Sequence, residues 1–101
     1  MPKRVDSNQP EIVQALRDIG ATVQHLHEAG KGCPDILVGY HGYNWLFEIK
    51  DGDKPPSKRK LTADEKEWHA TWRGQVSVIK SADEAIWYVT GYNSPGHVPP
   101  F

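Results

Sequence analysis

Residues 32–52 read GCPDILVGYHGYNWLFEIKDG, and they decide the fold. Two apolar runs, Ile36–Tyr40 and Tyr43–Lys50, flank the pair His41-Gly42. A two-residue connection ending in glycine, between runs rich in β-branched and aromatic residues, predicts an antiparallel hairpin. A hairpin built only for a core has no use for Asp35 at its mouth or for Glu48 and Lys50 at its far end. Side chains at i and i+2 share one face of a strand. Glu48 and Lys50 therefore emerge side by side, while Ile49 points the other way into apolar packing. The hairpin folds Asp35 back beside them. Two carboxylates and one ammonium then converge at one end.

Working outward, Ser7 or Asn8 is placed to cap a first helix, with Pro10 in its first turn. Ile12, Val13, Leu16 and Ile19 recur at helical spacing, and Gly20 ends the helix. Thr22–Leu26 reads as a short strand and HEAGKG, residues 27–32, as a loop. After Lys50 comes a polar loop, DGDKPPSKRK. Thr62-Ala63-Asp64-Glu65 is a capping box that opens a second helix, expected from Ala63 to Arg73 and stopped by Gly74. Val76–Ile79 is a fourth strand. Ser81-Ala82-Asp83-Glu84 repeats the capping pattern and opens a short third helix through Trp87. The end, TGYNSPGHVPPF, is too rich in Gly and Pro for regular structure.

The order α-β-β-β-α-β-α predicts a single α/β (α+β) domain with a mixed central sheet flanked by helices. The third strand should reach the fourth through a parallel, right-handed crossover. Residues 1–7 are expected to form a mobile arm, 8–90 the domain and 91–101 a tail.

Composition narrows the classes of function. Of the 101 residues, 38% are apolar and 25% charged, as in a globular domain with a modest core. No apolar run approaches the roughly 18 residues that span a bilayer. The start, MPKRVDSNQPE, lacks the apolar stretch of a secretory signal, so a cytoplasmic location is expected. Cys33 is the single cysteine, which leaves no internal disulfide and no Cys-rich zinc site. His25 and His27 share a strand face but lack a cysteine partner at ligand spacing. A net charge of −1 argues against coating nucleic acid by bulk charge. The bases are clustered instead, with Lys54, Lys58, Arg59 and Lys60 in the polar loop and Lys31 in the HEAGKG loop. They are candidate DNA-phosphate contacts beside the hairpin's end, set against the alternative of a solvated loop.

Two carboxylates, with a backbone carbonyl and waters, make a hard oxygen site suited to Mg²⁺ or Mn²⁺. Such an ion polarises a phosphoryl oxygen and acidifies its bound water. A neighbouring lysine orients that water or neutralises charge on the phosphate. The set fits hydrolysis of a phosphodiester.

Pro34-Asp35, twelve intervening residues, then Glu48-Ile49-Lys50 resembles the PD…(D/E)xK pattern of the restriction-endonuclease-like nucleases. Gly32-Cys33-Pro34-Asp35-Ile36-Leu37, the helix opening at Leu61-Thr62 and the strand QVSVIKS are similar to the VRR-NUC branch, small nucleases often encoded by phages. The likeness runs from about Asn8 to Ala85. It implies that Asp35 and Glu48 bind metal, that the Ile49 carbonyl is a further ligand and that Lys50 acts on the water. Many relatives carry an acid on the first helix, which makes Glu11 a further candidate. Relatives often carry a glutamine in the helix after the lysine strand. There this chain reads Asp64-Glu65-Lys66-Glu67, so Lys66 or Glu67 takes that place or the contact is missing.

The expectation is a divalent-metal-dependent DNA endonuclease, structure-selective and resolvase-like on four-way junctions. Two active sites are needed for paired cuts, which implies a homodimer. The alternative from another class is a non-catalytic nucleic-acid-binding module that kept the fold. A third is an interaction domain docking through SPGHVPPF. Trp68 and Trp72, four apart, are expected to pack in the core with Leu61, as are Trp45 and Trp87.

Overall fold

The computed structural model describes residues 6–91. The chain runs α1 (Gln9–Asp18), β1 (Thr22–His25), β2 (Ile36–Tyr40), β3 (Tyr43–Ile49), α2 (Ala63–Thr71), β4 (Ser77–Ile79) and α3 (Ala82–Gly91). This is the order expected from the sequence. His41 (φ 48°) and Gly42 (φ 84°) both turn left-handed between the paired Tyr40 and Tyr43. That backbone suits the right-handed twist of the flanking strands. β1 and β2 are antiparallel, β2 and β3 are antiparallel, and β4 joins β3 in parallel. The four strands lie in the order β1-β2-β3-β4 as one mixed sheet.

One face of this sheet carries the core. Ile36 pairs with Phe47 and Val38 with Trp45, so the four point the same way. With Ile49 and Ile79 they pack against Ile12, Val13 and Leu16 of α1 and Ala85 and Val89 of α3. Burying a side chain of this size contributes about 1.5–3 kcal/mol. β4 is short, and a side chain extends its work. The Gln75 amide accepts from the Leu46 N–H at 2.6 Å and donates to the Leu46 carbonyl at 3.0 Å.

The ends of α1 are built differently from each other. At its C-terminus Gly20 (φ 94°) lets its own N–H reach the Arg17 carbonyl and the Ala21 N–H reach that of Leu16. That is a Schellman closure. At its N-terminus Asn8 holds the capping position but makes no side-chain cap bond. Its amide donates instead to the carbonyls of Lys50 (3.1 Å) and Lys80 (3.2 Å), tying α1 to the ends of β3 and β4. The Ser7 hydroxyl donates to Asp51, and Asp6 lies 3.7 Å from Lys54. Residues 6 and 7 are thus tied to the loop that follows β3. The rest of the expected arm, 1–5, and the tail from 92 onward lie outside the described residues.

Four expectations are corrected. α2 stops at Thr71, because Trp72 turns extended and its indole N–H binds the Gln75 carbonyl at 3.1 Å. Trp68 and Trp72 stack on each other, centroids 4.6 Å apart, yet Trp72 is 45% exposed. They are not core residues, since α2 lies over the sheet face opposite α1 and α3. Trp45 does enter the core, while Trp87 is half-buried outside it. α3 runs past Trp87 to Gly91, because Ala85 and Val89, one turn apart, both bury.

Candidate active site

The β2–β3 register carries Asp35 to its place. Ile36 pairs with Phe47, and the Asp35 N–H donates to the Phe47 carbonyl at 3.0 Å. Asp35 therefore stands across from Glu48, on the same face, with Lys50 two residues on. This is the face turned away from the apolar core. All three are nonetheless buried, at 1%, 0% and 8% exposure. Asp35 Oδ2 accepts from the Ile49 N–H at 2.6 Å, which fixes its carboxylate against the end of β3. The Lys50 N–H points the other way, to the Ile79 carbonyl. The two groups of a strand residue point to one side, so the Ile49 carbonyl faces the Asp35 side. Asp35, Glu48, the Ile49 carbonyl and Lys50 are thus brought together.

Lys50 Nζ lies 3.9 Å from Glu48 Oε2 and 2.8 Å from Glu65 Oε1. Glu65 is the residue that sequence reasoning missed as a site residue. By sequence it stands at N3 of the capping box, and that box does form. Thr62 Oγ accepts from the Glu65 N–H, and the Glu65 carboxylate accepts from the Thr62 N–H at 2.9 Å. The same Oε1 also takes the Lys50 ammonium. The α2 side chain that meets the lysine is therefore Glu65, not Lys66 or Glu67, which are exposed. The available signal was its place at N3, which turns a capping carboxylate back over the helix entrance.

Gly32 explains how α2 comes to sit there. Its φ is +81°, and a Cβ on it would overlap the Asp64 carbonyl and lie 2.8 Å from the Glu65 nitrogen. The loop before Asp35 packs directly on the first turn of α2. Only glycine combines that approach with that backbone angle.

Burial and partners place the other candidates. Glu11 is exposed on α1 and lines a small cleft with Asn8, Asp51, Asp53 and Lys80. The first-turn acid thus faces the C-terminal ends of β3 and β4, just past Lys50, because Ile12 and Val13 take the core-facing positions. The buried polar residue of that turn is Gln9, at 2% exposure, bonded to His25 Nδ1 at 3.2 Å. Lys31, Lys58 and Lys60 are exposed, Lys54 lies beside Asp6, and Arg59 is half-buried. Next to the site, the Asp53 N–H and the Ser7 hydroxyl, aided by Lys54, hold the Asp51 carboxyl below its usual range.

The donor set fits a hard cation. Among the described residues no group of three or more His, Cys, Asp and Glu is arranged around a metal position. Mg²⁺ does not need one. It keeps several waters and binds through one or two carboxylates together with substrate phosphates. Asp35, Glu48 and the Ile49 carbonyl supply oxygens of that kind.

Comparison with known proteins bears on the fold. The chain matches no sequence-family profile and no curated protein. A solved structure described as a VRR_NUC domain superposes with a TM-score of 0.60 at 22% identity, over 86% of this chain and 99% of that one. The mixed sheet with its three helices shares the fold of that domain.

Proposed function

We propose that the protein is a divalent-metal-dependent DNA endonuclease. One observation carries the reading. Asp35 and Glu48 face each other across the hairpin, buried, with Lys50 beside them and anchored by Glu65. Surface charge at strand ends would be exposed, whereas these groups are held in place despite the cost of removing them from water. Asp35, Glu48 and the Ile49 carbonyl are the residues that would hold Mg²⁺ or Mn²⁺. When bound, the ion polarises the phosphate and acidifies water.

The chain's own groups do the rest. Lys50 presents its ammonium to the scissile phosphate or its attacking water. Glu65 fixes where that ammonium sits. Water attacks phosphorus, the bond to the 3′-oxygen breaks, and that oxygen takes up a proton. Lys58, Lys60 and Lys31 are free to meet flanking phosphates. Each such contact adds close to one unit to the salt slope of binding. The finer proposal is a structure-selective enzyme acting on four-way junctions as a homodimer.

The test is cleavage of end-labelled single-stranded, duplex, flap and four-way-junction DNA with Mg²⁺, Mn²⁺ or EDTA. Metal-dependent cutting supports the nuclease, and paired nicks on the junction by a dimer support the resolvase. No cutting of any substrate by folded protein favours a binding module that kept the fold.

A further inference from the structure

A second cavity lies at the same end of the sheet, on its other face. It measures about 390 Å³ and is lined by Gln9, Pro10, Val13, Gln14 and Arg17 of α1 with His25 and His27. Leu26, between the two histidines, donates its N–H to the Asp35 carbonyl at 2.8 Å. The cavity is therefore one strand away from the carboxylate site. Nothing in the proposed hydrolysis uses it.

Two of its lining residues carry buried polar atoms without a hydrogen-bond partner. Gln9 is 2% exposed, and its amide has two ends. Nε2 meets His25 Nδ1 at 3.2 Å, while Oε1 is buried with no hydrogen-bond partner. A buried acceptor left this way costs about 1–3 kcal/mol. Because the amide donates to Nδ1, the neutral His25 ring carries its proton on Nε2 and offers a donor. His27 Nδ1 is likewise buried without a partner, and the His25 and His27 rings meet edge to face at 6.0 Å. Arg17 adds a guanidinium at the rim. Pro10 and Val13 give the cavity an apolar wall.

A ligand that turns the Gln9 amide toward the cavity would bring a donor to Oε1 and acceptors to His25 and Arg17, and a flat one would lie against imidazole and proline. A phosphodiester has acceptors only. The edge of a nucleobase has N–H donors beside carbonyl or ring-nitrogen acceptors, and proteins read it with Gln, Arg and stacking rings. We propose that this cavity binds an unstacked nucleobase. Resting on the nuclease reading, it would hold a base near the strand being cut, so that unpaired or distorted DNA is preferred.

The test does not depend on catalysis. Histidine ring resonances are followed by NMR in EDTA while guanosine, adenosine, cytidine, thymidine, ribose 5-phosphate or inorganic phosphate is added. At least one nucleoside should shift both His25 and His27, and the two phosphates should not. Arg17→Ala, at an exposed position, should weaken that nucleoside about tenfold, the worth of one hydrogen bond to a charged group. Gln9→Met should abolish the binding while leaving the thermal midpoint equal or higher, since it removes the orphaned oxygen. The proposal is overturned if no nucleoside moves either histidine, or if inorganic phosphate moves them as strongly. Nucleoside binding by a protein that cuts no DNA would leave the pocket standing and remove the nuclease.

Discussion

Glu65 shows how one side chain joins two levels of the structure. Its Oε1 closes the capping box of α2 and receives the Lys50 ammonium. Truncation removes both. A lost cap costs about 1 kcal/mol, and an uncompensated buried charge adds to that. Glu65→Ala should therefore destabilise the protein by about 2–3 kcal/mol in urea denaturation. Glu65→Gln, which keeps an oxygen for the cap but not the charge, should recover only the capping share of that loss. A much smaller loss for Glu65→Ala would mean that the lysine is held by other groups. Asp51 provides a pH test. Its folded pKa is lowered, so its contribution is present above the ordinary carboxyl pKa and is lost as pH falls through the folded value. Below about pH 4 the wild type should lose stability more steeply than Asp51→Asn in thermal melts.

At the scale of elements, local signals reached far and then stopped. The hairpin turn, the capping box and the glycine end of α1 were legible, because each is closed by neighbours in sequence. Ser7 or Asn8 reads as a helix cap for the same reason; Asn8 takes the capping position, but its amide goes to the Lys50 and Lys80 carbonyls. Those partners lie 42 and 72 residues away, so no local pattern reports them. Asn8→Ala should cost about 1–3 kcal/mol, since it takes the side-chain donor from the Lys50 carbonyl at the junction of α1, β3 and β4, while the Lys80 carbonyl keeps the Gly52 N–H. Asn8→Ser, a good cap that cannot bridge the strands, should not rescue it. Helical spacing also placed Trp68 and Trp72 in a core, but spacing shows only that two residues share a face, not what covers that face. The loop–helix contact at Gly32 can be tested directly. Gly32→Ala should unseat the first turn of α2 and lower the thermal midpoint. It should also change Trp68 and Trp72 fluorescence, which is the readout that separates displacement of α2 from a general loss of stability.

For the whole molecule, the sheet is the device that builds the site. Its two faces divide the labour, with α1 and α3 closing an apolar core on one and the carboxylates gathered under α2 on the other. The pairing of Asp35, Glu48 and Lys50 was legible from strand periodicity and one turn. The roles of Glu65, Gln9 and Glu11 were not, because they depend on how helices dock on the sheet. The central claim is that the buried carboxylate pair and its lysine hydrolyse phosphodiesters with a bound metal. The most direct measurement is the single-turnover cleavage rate of wild type beside Glu48→Gln, with Mn²⁺ or EDTA, on whichever DNA the wild type cuts fastest. Circular dichroism confirms that both are folded. The expected result is metal-dependent cutting by the wild type and a loss of about a hundredfold or more in the variant. Cutting that survives EDTA, or a folded Glu48→Gln that cuts as fast as the wild type, would contradict the account.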